Sequence, residues 1–552
     1  MSTRQRLRAG SDLSEYEPRH SKNNIDRNRE LSSAITTTID TRSVELHEPA
    51  IGRNVGTSAL WSALNAGVLR ASTFALSLLV ARLVAPYEFG VFTVAFTILM
   101  FALSLPELGV SSAIVREHNR SKEIASTVFT ISLVGGGLLA LAMFFFAPFF
   151  ARELGAADAA SAVRVLSVVP FLAGFTVVPT ALMSRDFMQR KRFIADAAFF
   201  VVSTATMLIL VLNGHAVMGL AWSQVAGHIV SVVLLVWMAP ERHWPGFRWN
   251  EATHLLSFGL PLAGANLISM GIVNVDFVVV GHWLGAQKLA YYNLAYSISG
   301  WPITIFSAIL VSVTLPTLSR VRHNPHELTR HLRAGLSAIA VASFPVYAIL
   351  CALAGPLIDI VYGTRWNAAW SALVVLAIFG ATRSVVLMLS DLAVALGLTR
   401  RLLNIQLIWF GALVPAMVVC VTRWGILGAG IAHAIVVVFV VLPMYLVTLH
   451  RKTPVPVGSL RFVLGRPLVA SVGCALAAYG GAQVVEGNVP KLLLGVACGL
   501  ATYALLGGRW LLRVGRSLRA MYWNRGADSS DASRPPSGPA PSPSGQLAVP
   551  RG

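Results

Sequence analysis

Long runs of apolar residues, separated by short polar connections, occupy most of the chain. A membrane-spanning helix needs about 20 predominantly apolar residues, and fourteen segments of the sequence meet that requirement. We therefore predict fourteen transmembrane helices. The segments cover residues 55–82, 89–115, 124–150, 160–184, 193–212, 216–239, 253–281, 289–318, 331–354, 368–396, 402–422, 425–448, 465–485 and 490–511.

Two of the connections resemble each other at a fixed offset of 200 residues. RLVAPYEFGVFTVAF (82–96) joins the first two predicted helices, and HWLGAQKLAYYNLAY (282–296) joins the seventh and eighth. The matched pairs include Val84/Leu284, Ala85/Gly285, Phe89/Leu289, Gly90/Ala290, Phe92/Tyr292, Val94/Leu294, Ala95/Ala295 and Phe96/Tyr296. Because six is even, a duplicated unit of six helices inserts both copies in the same orientation, related by an axis along the membrane normal. Two such bundles around a central cleft are a transporter architecture that works by alternating access.

The predicted fold class is an all-α integral membrane protein, with two parallel six-helix bundles and two additional C-terminal helices. Both tails lack apolar runs: the first is rich in both charges, and the last is rich in Pro and Ser. We predict a disordered cytoplasmic tail over 1–54, the two bundles over 55–240 and 252–449, two further helices over 465–511, and a basic, then Pro/Ser-rich cytoplasmic tail over 512–552.

Composition and charge agree with a membrane protein. The chain is 55% hydrophobic and 12% charged, with a net charge of +19, whereas soluble domains are about 25% charged. Nineteen Lys and Arg residues lie in or at the borders of one set of alternate loops, and far fewer lie in or at the borders of the other set, which predicts that both termini are cytoplasmic. The same bias makes anionic membrane lipids a sufficient partner for the positive charge, so we expect no nucleic acid.

Cofactor, metal and ATP chemistry have no support in the sequence. The four cysteines lie inside predicted helices without CxxC spacing, and no GxxxxGK[ST] motif is present. We expect no cofactor, no metal and no enzymatic activity. A membrane enzyme of glycan synthesis would need an acidic pair or a metal-ligand set outside the bilayer, and the sequence contains neither.

Three motifs resemble those of a known family. They are ARLVAPYEFGVFTVAFTILMFALSLPELGVSSAIVRE, with Pro86, Glu88, Phe89, Gly90, Leu108, Gly109 and Arg116; LVSVTLPTLSRVR, with Pro316, Ser319 and Arg320; and YGTRWNAAWSALVVLAIFG at 362–380. Together they resemble the Wzx-type polysaccharide and O-antigen exporters of the multidrug/oligosaccharidyl-lipid/polysaccharide superfamily, over about residues 50–450. The resemblance implies a MATE-like fold in the bacterial cytoplasmic membrane. It also implies flipping of an undecaprenyl-diphosphate-linked oligosaccharide for cell-surface polysaccharide, with other polysaccharide-assembly proteins as further candidate partners.

Ionisable residues inside the predicted helices are the candidate site. A charge at bilayer depth is costly and is expected to face a cavity or a partner. Arg70 and Arg383 come from different halves, and guanidinium groups bind phosphate by paired hydrogen bonds. They are our candidates for binding the diphosphate of such a cargo. The alternative is that each is the buried partner of a carboxylate, for example Arg70 with Asp276.

A second set of polar residues is predicted to couple transport to an ion or to line the cleft. Intramembrane carboxylates are the usual binding groups for protons and sodium ions, although a carboxylate beside a proline could instead satisfy backbone groups. The candidates are Asp276, Asp391, Glu107, Asn65 and Asn266.

Other classes of transporter remain open from the sequence. A peptidoglycan lipid-precursor flippase would move a very similar lipid-linked substrate, and a MATE-type cation-coupled antiporter would share the fold. Two arginines in the cleft argue against a cationic cargo, and the PYEFG turn favours the polysaccharide branch. A scaffold without transport activity is the remaining alternative.

Overall fold

A computed structural model of the chain describes residues 61, 67–68, 72–104, 121–241, 244–321, 325–450 and 457–531, and in these ranges every regular element is a helix. The helices belong to one compact unit, Asn65–Gly552; of the other unit, Met1–Leu64, only Trp61 is described. The predicted tail 1–54 lies outside the described residues.

In the described ranges, fourteen principal helices follow in chain order, as the hydropathy pattern predicts. Eleven helices of the described chain are long and apolar enough to cross a membrane. Two of these contain a break at a glycine with positive φ, namely Gly285 (φ 80°) and Gly425 (φ 61°), so each of the two is a pair of antiparallel helices. Only glycine adopts these conformations without strain. With the shorter helix Ser72–Leu83, the total is fourteen.

The first half of the chain contributes α1 (Ser72–Leu83), α2 (Pro86–Ser104), α3 (Ser121–Glu153), α4 (Ala157–Arg185), α5 (Gln189–Leu212) and α6 (Ala216–Met238). The second half contributes α7 (249–284), α8 (286–321), α9 (Pro325–Ala352), α10 (Trp370–Ala395), α11 (399–424) and α12 (426–450). A short helix, Ala354–Val361, and a 3-10 turn, Thr364–Ala369, connect α9 to α10. The chain ends in α13 (Val457–Gln483) and α14 (Asn488–Asp531).

The duplication is visible where α2 of the first half packs against α8 of the second. Asn293 Nδ2 donates a hydrogen bond to Thr93 Oγ1 at 3.1 Å, and these residues are 200 apart in sequence, which makes them equivalent positions of the repeat. Two equivalent residues can contact each other only near the axis that relates the halves. Gly90 allows the close approach, because a Cβ at this position would overlap the carbonyl of Ala286.

The first helix of each half is bound to the other half in the same way. Arg82, at the end of α1, donates to the carbonyl of Ile360 at 2.8 Å, just beyond α9. Its equivalent at the end of α7, His282, donates through Nδ1 to the carbonyl of Glu153 at the end of α3. Since α3 and α9 are the third helices of their halves, the two contacts are related by the same axis.

A buried tryptophan completes this contact region. Trp366 Nε1 donates to the carbonyl of Ala81 at 2.9 Å, and its ring lies between Phe89 of the first half (centroids 5.6 Å apart) and Tyr291 of the second (6.1 Å). We call this region the seam; it comprises Arg82, Gly90, Thr93, His282, Ala286, Asn293 and Trp366. In the seam, the two halves contact each other at the end of the bundle where the α1–α2 and α7–α8 turns lie.

The last two helices pack on the second half. Leu353, Ala478 and Ala482 form a small apolar cluster between the end of α9 and α13. Tyr503 of α14 donates to the carbonyl of Val341 in α9 at 3.1 Å. The predicted fold class is thus confirmed: two parallel six-helix bundles followed by two additional helices. The domain limits given above stay predictions.

Candidate functional site

The site begins with Arg383, which lies in the middle of α10 and is half-buried. Its Nη1 donates to the hydroxyl of Tyr296 on α8 at 3.2 Å, and its Cζ lies 5.7 Å from the centre of the Phe379 ring, one turn earlier on α10. Among the described residues, no carboxylate lies within ion-pair distance of this guanidinium. Its charge is therefore balanced neither by Asp276 nor by Asp391 through a direct contact.

Arg383 lines a cavity of about 200 Å³ inside the second half. Five helices of that half, α7, α8, α10, α11 and α12, contribute to its walls. The lining residues are Ser269, Ile272, Val273, Tyr296, Phe379, Arg383, Val386, Leu387, Ser390, Gln406, Trp409, His433 and Tyr445. The cavity is thus a largely apolar chamber with one permanent positive charge.

Asp276 lies beside this cavity and is fully buried on α7. Its Oδ2 accepts a hydrogen bond from the hydroxyl of Tyr292 at 2.6 Å and lies 3.2 Å from Nε2 of His433, while Oδ1 accepts from the backbone N–H of Phe277 at 2.9 Å. A buried carboxylate is tolerated when its lone pairs are satisfied in this way.

The cluster lies within the depth of the bilayer. Tyr292 and His433 are seven and eight residues beyond the breaks at Gly285 and Gly425, and Asp276 is nine residues before the first of them. At 1.5 Å per helical residue, the three lie about 10–14 Å along their helices from the same end. A hydrocarbon core is about 30 Å thick, so the cluster is inside it.

Two of the residues that line the cavity each have a buried polar atom without a partner in the described part of the chain. The Nδ1 of His433 and the indole Nε1 of Trp409 are both buried without a hydrogen bond. The His433 ring stacks on Phe379, with centroids 4.6 Å apart and planes 29° apart. Phe379 therefore contacts both the imidazole of His433 and the guanidinium of Arg383. It lies between the Asp276–His433 pair and Arg383.

Comparison of the two halves shows that this cluster belongs to the second half alone. The rings of Tyr292 and Tyr296 lie 6.1 Å apart, and those of their equivalents Phe92 and Phe96 lie 5.6 Å apart. The position equivalent to Asp276 is Leu76. The aromatic pair thus packs similarly in both halves, and the second half differs by two hydroxyls and a carboxylate.

The sequence-predicted residues divide into three groups. The structure brings Asp276 and Arg383 into one cluster. It leaves Asp391 half-buried two turns further along α10, and Asn266 half-buried on α7. Arg70, Glu107 and Asn65 lie outside the described residues, so their roles stay predictions.

Sequence reasoning missed the roles of Tyr292, Tyr296 and Trp409, and treated His433 only as a polar residue inside a helix. A signal for the tyrosines was present, because the 200-residue offset replaces two phenylalanines by tyrosines at positions that otherwise match. In the described part of the chain, no group of three or more His, Cys, Asp or Glu residues could hold a metal ion.

Comparisons with known proteins give the family. A family profile described as "Polysaccharide biosynthesis protein" matches residues 79–371. Similar proteins include the succinoglycan biosynthesis transport protein ExoT of Rhizobium meliloti, 25% identical over 511 residues (89% of this chain, 97% of ExoT). The lipopolysaccharide biosynthesis protein WzxC of Escherichia coli is 23% identical over 335 residues (59% of this chain, 67% of WzxC).

Solved structures give the same fold. The lipid II flippase MurJ in an inward closed conformation aligns with a TM-score of 0.65 at 16% identity, over 82% of this chain and 100% of MurJ. An inward-facing MATE multidrug transporter of the MOP superfamily aligns with a TM-score of 0.57 at 18% identity, over 69% of this chain and 94% of the transporter. Because the family profile covers more than half of the 552 residues, the chain belongs to the polysaccharide biosynthesis protein family.

Proposed function

We propose that this protein flips an undecaprenyl-diphosphate-linked oligosaccharide across the bacterial cytoplasmic membrane for cell-surface polysaccharide synthesis. Movement would proceed by alternating access of the two halves. The observation that carries the proposal is Arg383, a guanidinium at bilayer depth that lines a cavity and has no carboxylate partner among the described residues. The relatives named above, a succinoglycan transport protein and a lipopolysaccharide biosynthesis protein, support this class of cargo.

Energetics favour an anionic cargo. An arginine at the centre of a membrane helix costs about 2.5–3.5 kcal/mol on insertion scales, so its retention without a carboxylate partner calls for a compensating anion. A diphosphate supplies that anion and matches the fork of the guanidinium group. A cationic cargo would be repelled by Arg383, and the oxygens of Asp276 already accept hydrogen bonds from Tyr292 and from the backbone. These contacts disfavour the MATE-type antiporter.

The size of the cavity limits what enters it. The cavity of about 200 Å³ is lined by residues of the second half alone, so it would hold the phosphoryl end of the cargo and not the whole oligosaccharide. The glycan would therefore pass between the halves, which requires the seam to open.

The proposed orientation places both termini in the cytoplasm and the seam at the outer face. It rests on the excess of Lys and Arg in the loops at the opposite end of the bundle. In this orientation the closed seam would be the outer gate, and opening it would release the cargo to the outer leaflet.

The test is export in a deletion strain, with lipid-linked glycan trapped on the inner leaflet and surface polymer measured together. Arg383→Ala should trap the lipid-linked glycan and abolish the surface polymer at unchanged protein level, and Arg383→Lys should export weakly, because an ammonium ion lacks the bidentate fork. Arg164→Ala is the matched control, since this exposed arginine also lies over a ring (Phe144, 5.8 Å) but does not line the cavity.

Two outcomes would contradict the proposal. Normal export by Arg383→Ala would remove the diphosphate-binding role. Accumulation of peptidoglycan precursor instead of polysaccharide repeat units would assign the protein to the precursor-flippase alternative. The same assay tests Arg70→Ala, for which the sequence predicts the same loss of export.

A further inference from the structure

We propose that the connection between the two halves is an interfacial membrane anchor, whose aromatic side chains insert among anionic phospholipids at the end of the bundle opposite the seam. The connection runs from the end of α6 at Met238 to the start of α7 at Trp249. We call its described part before α7, residues 244–248, the linker. The proposal concerns the lipid around the protein and does not depend on the cargo.

The linker is bound to α3 of the first half. The backbone N–H of Gly246 donates to the carbonyl of Ser126 at 3.3 Å, and the hydroxyl of Thr130 donates to the carbonyl of Gly246 at 2.9 Å. A Cβ on Gly246 would lie 3.2 Å from the Cβ of Ser126, so the glycine permits this close contact. Both backbone polar groups of Gly246 are thus satisfied by one helix.

The segments on either side of the linker are bound to the first half as well. Before it, Lys191 Nζ of α5 donates to the carbonyl of Met238 at 2.9 Å. After it, Leu255 of α7 is buried in an apolar cluster with Ile124 and Val128 of α3. The linker therefore has a defined position, and the exposure of its side chains is a property of that position.

The contacts with α3 place the linker at the level of the membrane interface. The membrane-spanning part of α3 begins at Ile124, and Ser126 and Thr130 lie about 3 and 9 Å further along the helix at 1.5 Å per residue. The headgroup region adds about 5–7 Å on each side of the hydrocarbon core. Non-helical backbone at this depth needs protein partners for its polar groups, and Gly246 has them in α3.

The side chains that this region leaves exposed are large and aromatic. Trp244, Phe247 and Trp249 are 81%, 53% and 71% exposed, and the rings of Phe247 and Trp249 contact each other with centroids 5.7 Å apart. Clustered apolar surface of this kind marks an interaction site, and tryptophan is enriched where the hydrocarbon core meets the headgroups. At this depth, phospholipid is the occupant that the surface fits.

The charge beside the aromatic rings favours anionic headgroups. Arg248 is exposed, and so is Arg190, the neighbour of Lys191 at the start of α5. Glu241 and Glu251, before and after the linker, are half-buried. The exposed charge beside the aromatic surface is therefore positive among the described residues, and arginine near a membrane surface attracts anionic lipid.

The experiment uses full-length protein in nanodiscs and the fluorescence difference between wild type and Trp244→Phe, which isolates the emission of one tryptophan. This emission should be quenched by phospholipid brominated near the headgroup end of its acyl chains, and little by iodide in the water. Trp249→Phe repeats the measurement at the start of α7, so that failure of one variant to fold leaves the other. Trp366→Phe is the matched control, because that ring is buried in the seam and its emission should respond to neither quencher. Trp237→Phe is the positive control, since this side chain is exposed on the membrane-spanning helix α6.

The preference for anionic headgroups is tested with brominated phosphatidylglycerol against brominated phosphatidylcholine at equal mole fraction. One arginine near the membrane surface should enrich the anionic lipid by up to about fivefold, so phosphatidylglycerol should quench Trp249 more strongly. Arg248→Gln should remove most of this excess, and high salt should reduce it. Arg164→Gln should retain the excess, because this exposed arginine lies near the start of α4, at the seam end of the bundle.

The positioning of the linker by α3 has its own test. Thr130→Val removes the hydroxyl that binds Gly246 and should increase the quenching of Trp244 by iodide. Thr130→Ser retains a hydroxyl and should behave as wild type. Because residue 130 is not part of the aromatic surface, the two variants report on the position of the linker alone.

Two results would overturn the proposal. Quenching of Trp244 and Trp249 by iodide and not by brominated lipid would assign the aromatic surface to water or to a soluble partner. Equal quenching by the two brominated lipids, in wild type and in Arg248→Gln alike, would overturn the assignment to anionic phospholipid. No cargo takes part in either measurement, so failure of this proposal is distinct from failure of the proposed function.

Discussion

The hydroxyl of Tyr292 offers a direct measurement of the charge on Asp276. Tyr292→Phe removes only that hydroxyl and installs the residue that the first half already has at Phe92, so packing should be preserved. The lost contact is the 2.6 Å hydrogen bond to Asp276 Oδ2. Both residues are fully buried, so water cannot replace the bond.

The expected magnitude depends on the state of the carboxylate. An average interhelical hydrogen bond in a membrane protein is worth about 0.6 kcal/mol, whereas one to a charged group is worth about 1.5–3 kcal/mol. Because the acceptor is a carboxyl group and both partners are buried, we expect Tyr292→Phe to lower the free energy of unfolding by about 1–3 kcal/mol. In an Asp276→Leu background, which copies Leu76, the same change should cost nearly nothing.

The assay is reversible unfolding in mixed micelles, arranged as a double-mutant cycle. Phe92→Tyr in the first half is the opposite control: it should destabilise, because its equivalent partner is Leu76 and the added hydroxyl is buried unpaired. A cost near 0.6 kcal/mol for Tyr292→Phe would favour a neutral Asp276. An equal cost in the Asp276→Leu background would refute the assignment of this bond altogether.

The seam gives the remaining predictions. Thr93→Cys with Asn293→Cys, in a chain without its native cysteines, should cross-link under oxidation and block export until reductant is added. Export by the oxidised pair would show that the seam stays closed during transport. Gly90→Leu should lower folded yield or hold the seam open, because its side chain overlaps the Ala286 carbonyl; wild-type yield together with wild-type protease protection at the seam would contradict that contact. His282→Gln keeps a donor for the Glu153 carbonyl and should preserve export, whereas His282→Ala should impair it.

Some residues of the site can be identified from the sequence, and others cannot. Arg383 and Asp276 stand out in any list of intramembrane charges, because each is costly in an apolar segment. Tyr292 and Tyr296 attract no notice alone, since tyrosine is common in membrane helices. The repeat shows that these tyrosines replace Phe92 and Phe96 of the first half. The structure then shows that the hydroxyl of Tyr292 contacts Asp276 and that the hydroxyl of Tyr296 contacts Arg383.

The helices, their number and the duplication can all be predicted from hydropathy and the internal repeat. The bilayer offers no partner for backbone groups, so each apolar segment of sufficient length must satisfy its own hydrogen bonds as a helix. Hydropathy is therefore enough to locate the segments. The repeat at an offset of 200 then makes the two halves equivalent without any knowledge of their packing.

The contacts between side chains of different helices, in contrast, depend on how the helices pack. Helices in a bilayer are held together by close packing and occasional polar contacts. Because lipid is as apolar as the helix surfaces, the hydropathy pattern does not show which face of a helix contacts its neighbour. The rotation of each helix about its axis is therefore set by its neighbours. Asp276 and His433 are 157 residues apart in sequence, and nothing in either segment predicts that one imidazole nitrogen contacts a carboxylate while the other is buried without a hydrogen bond.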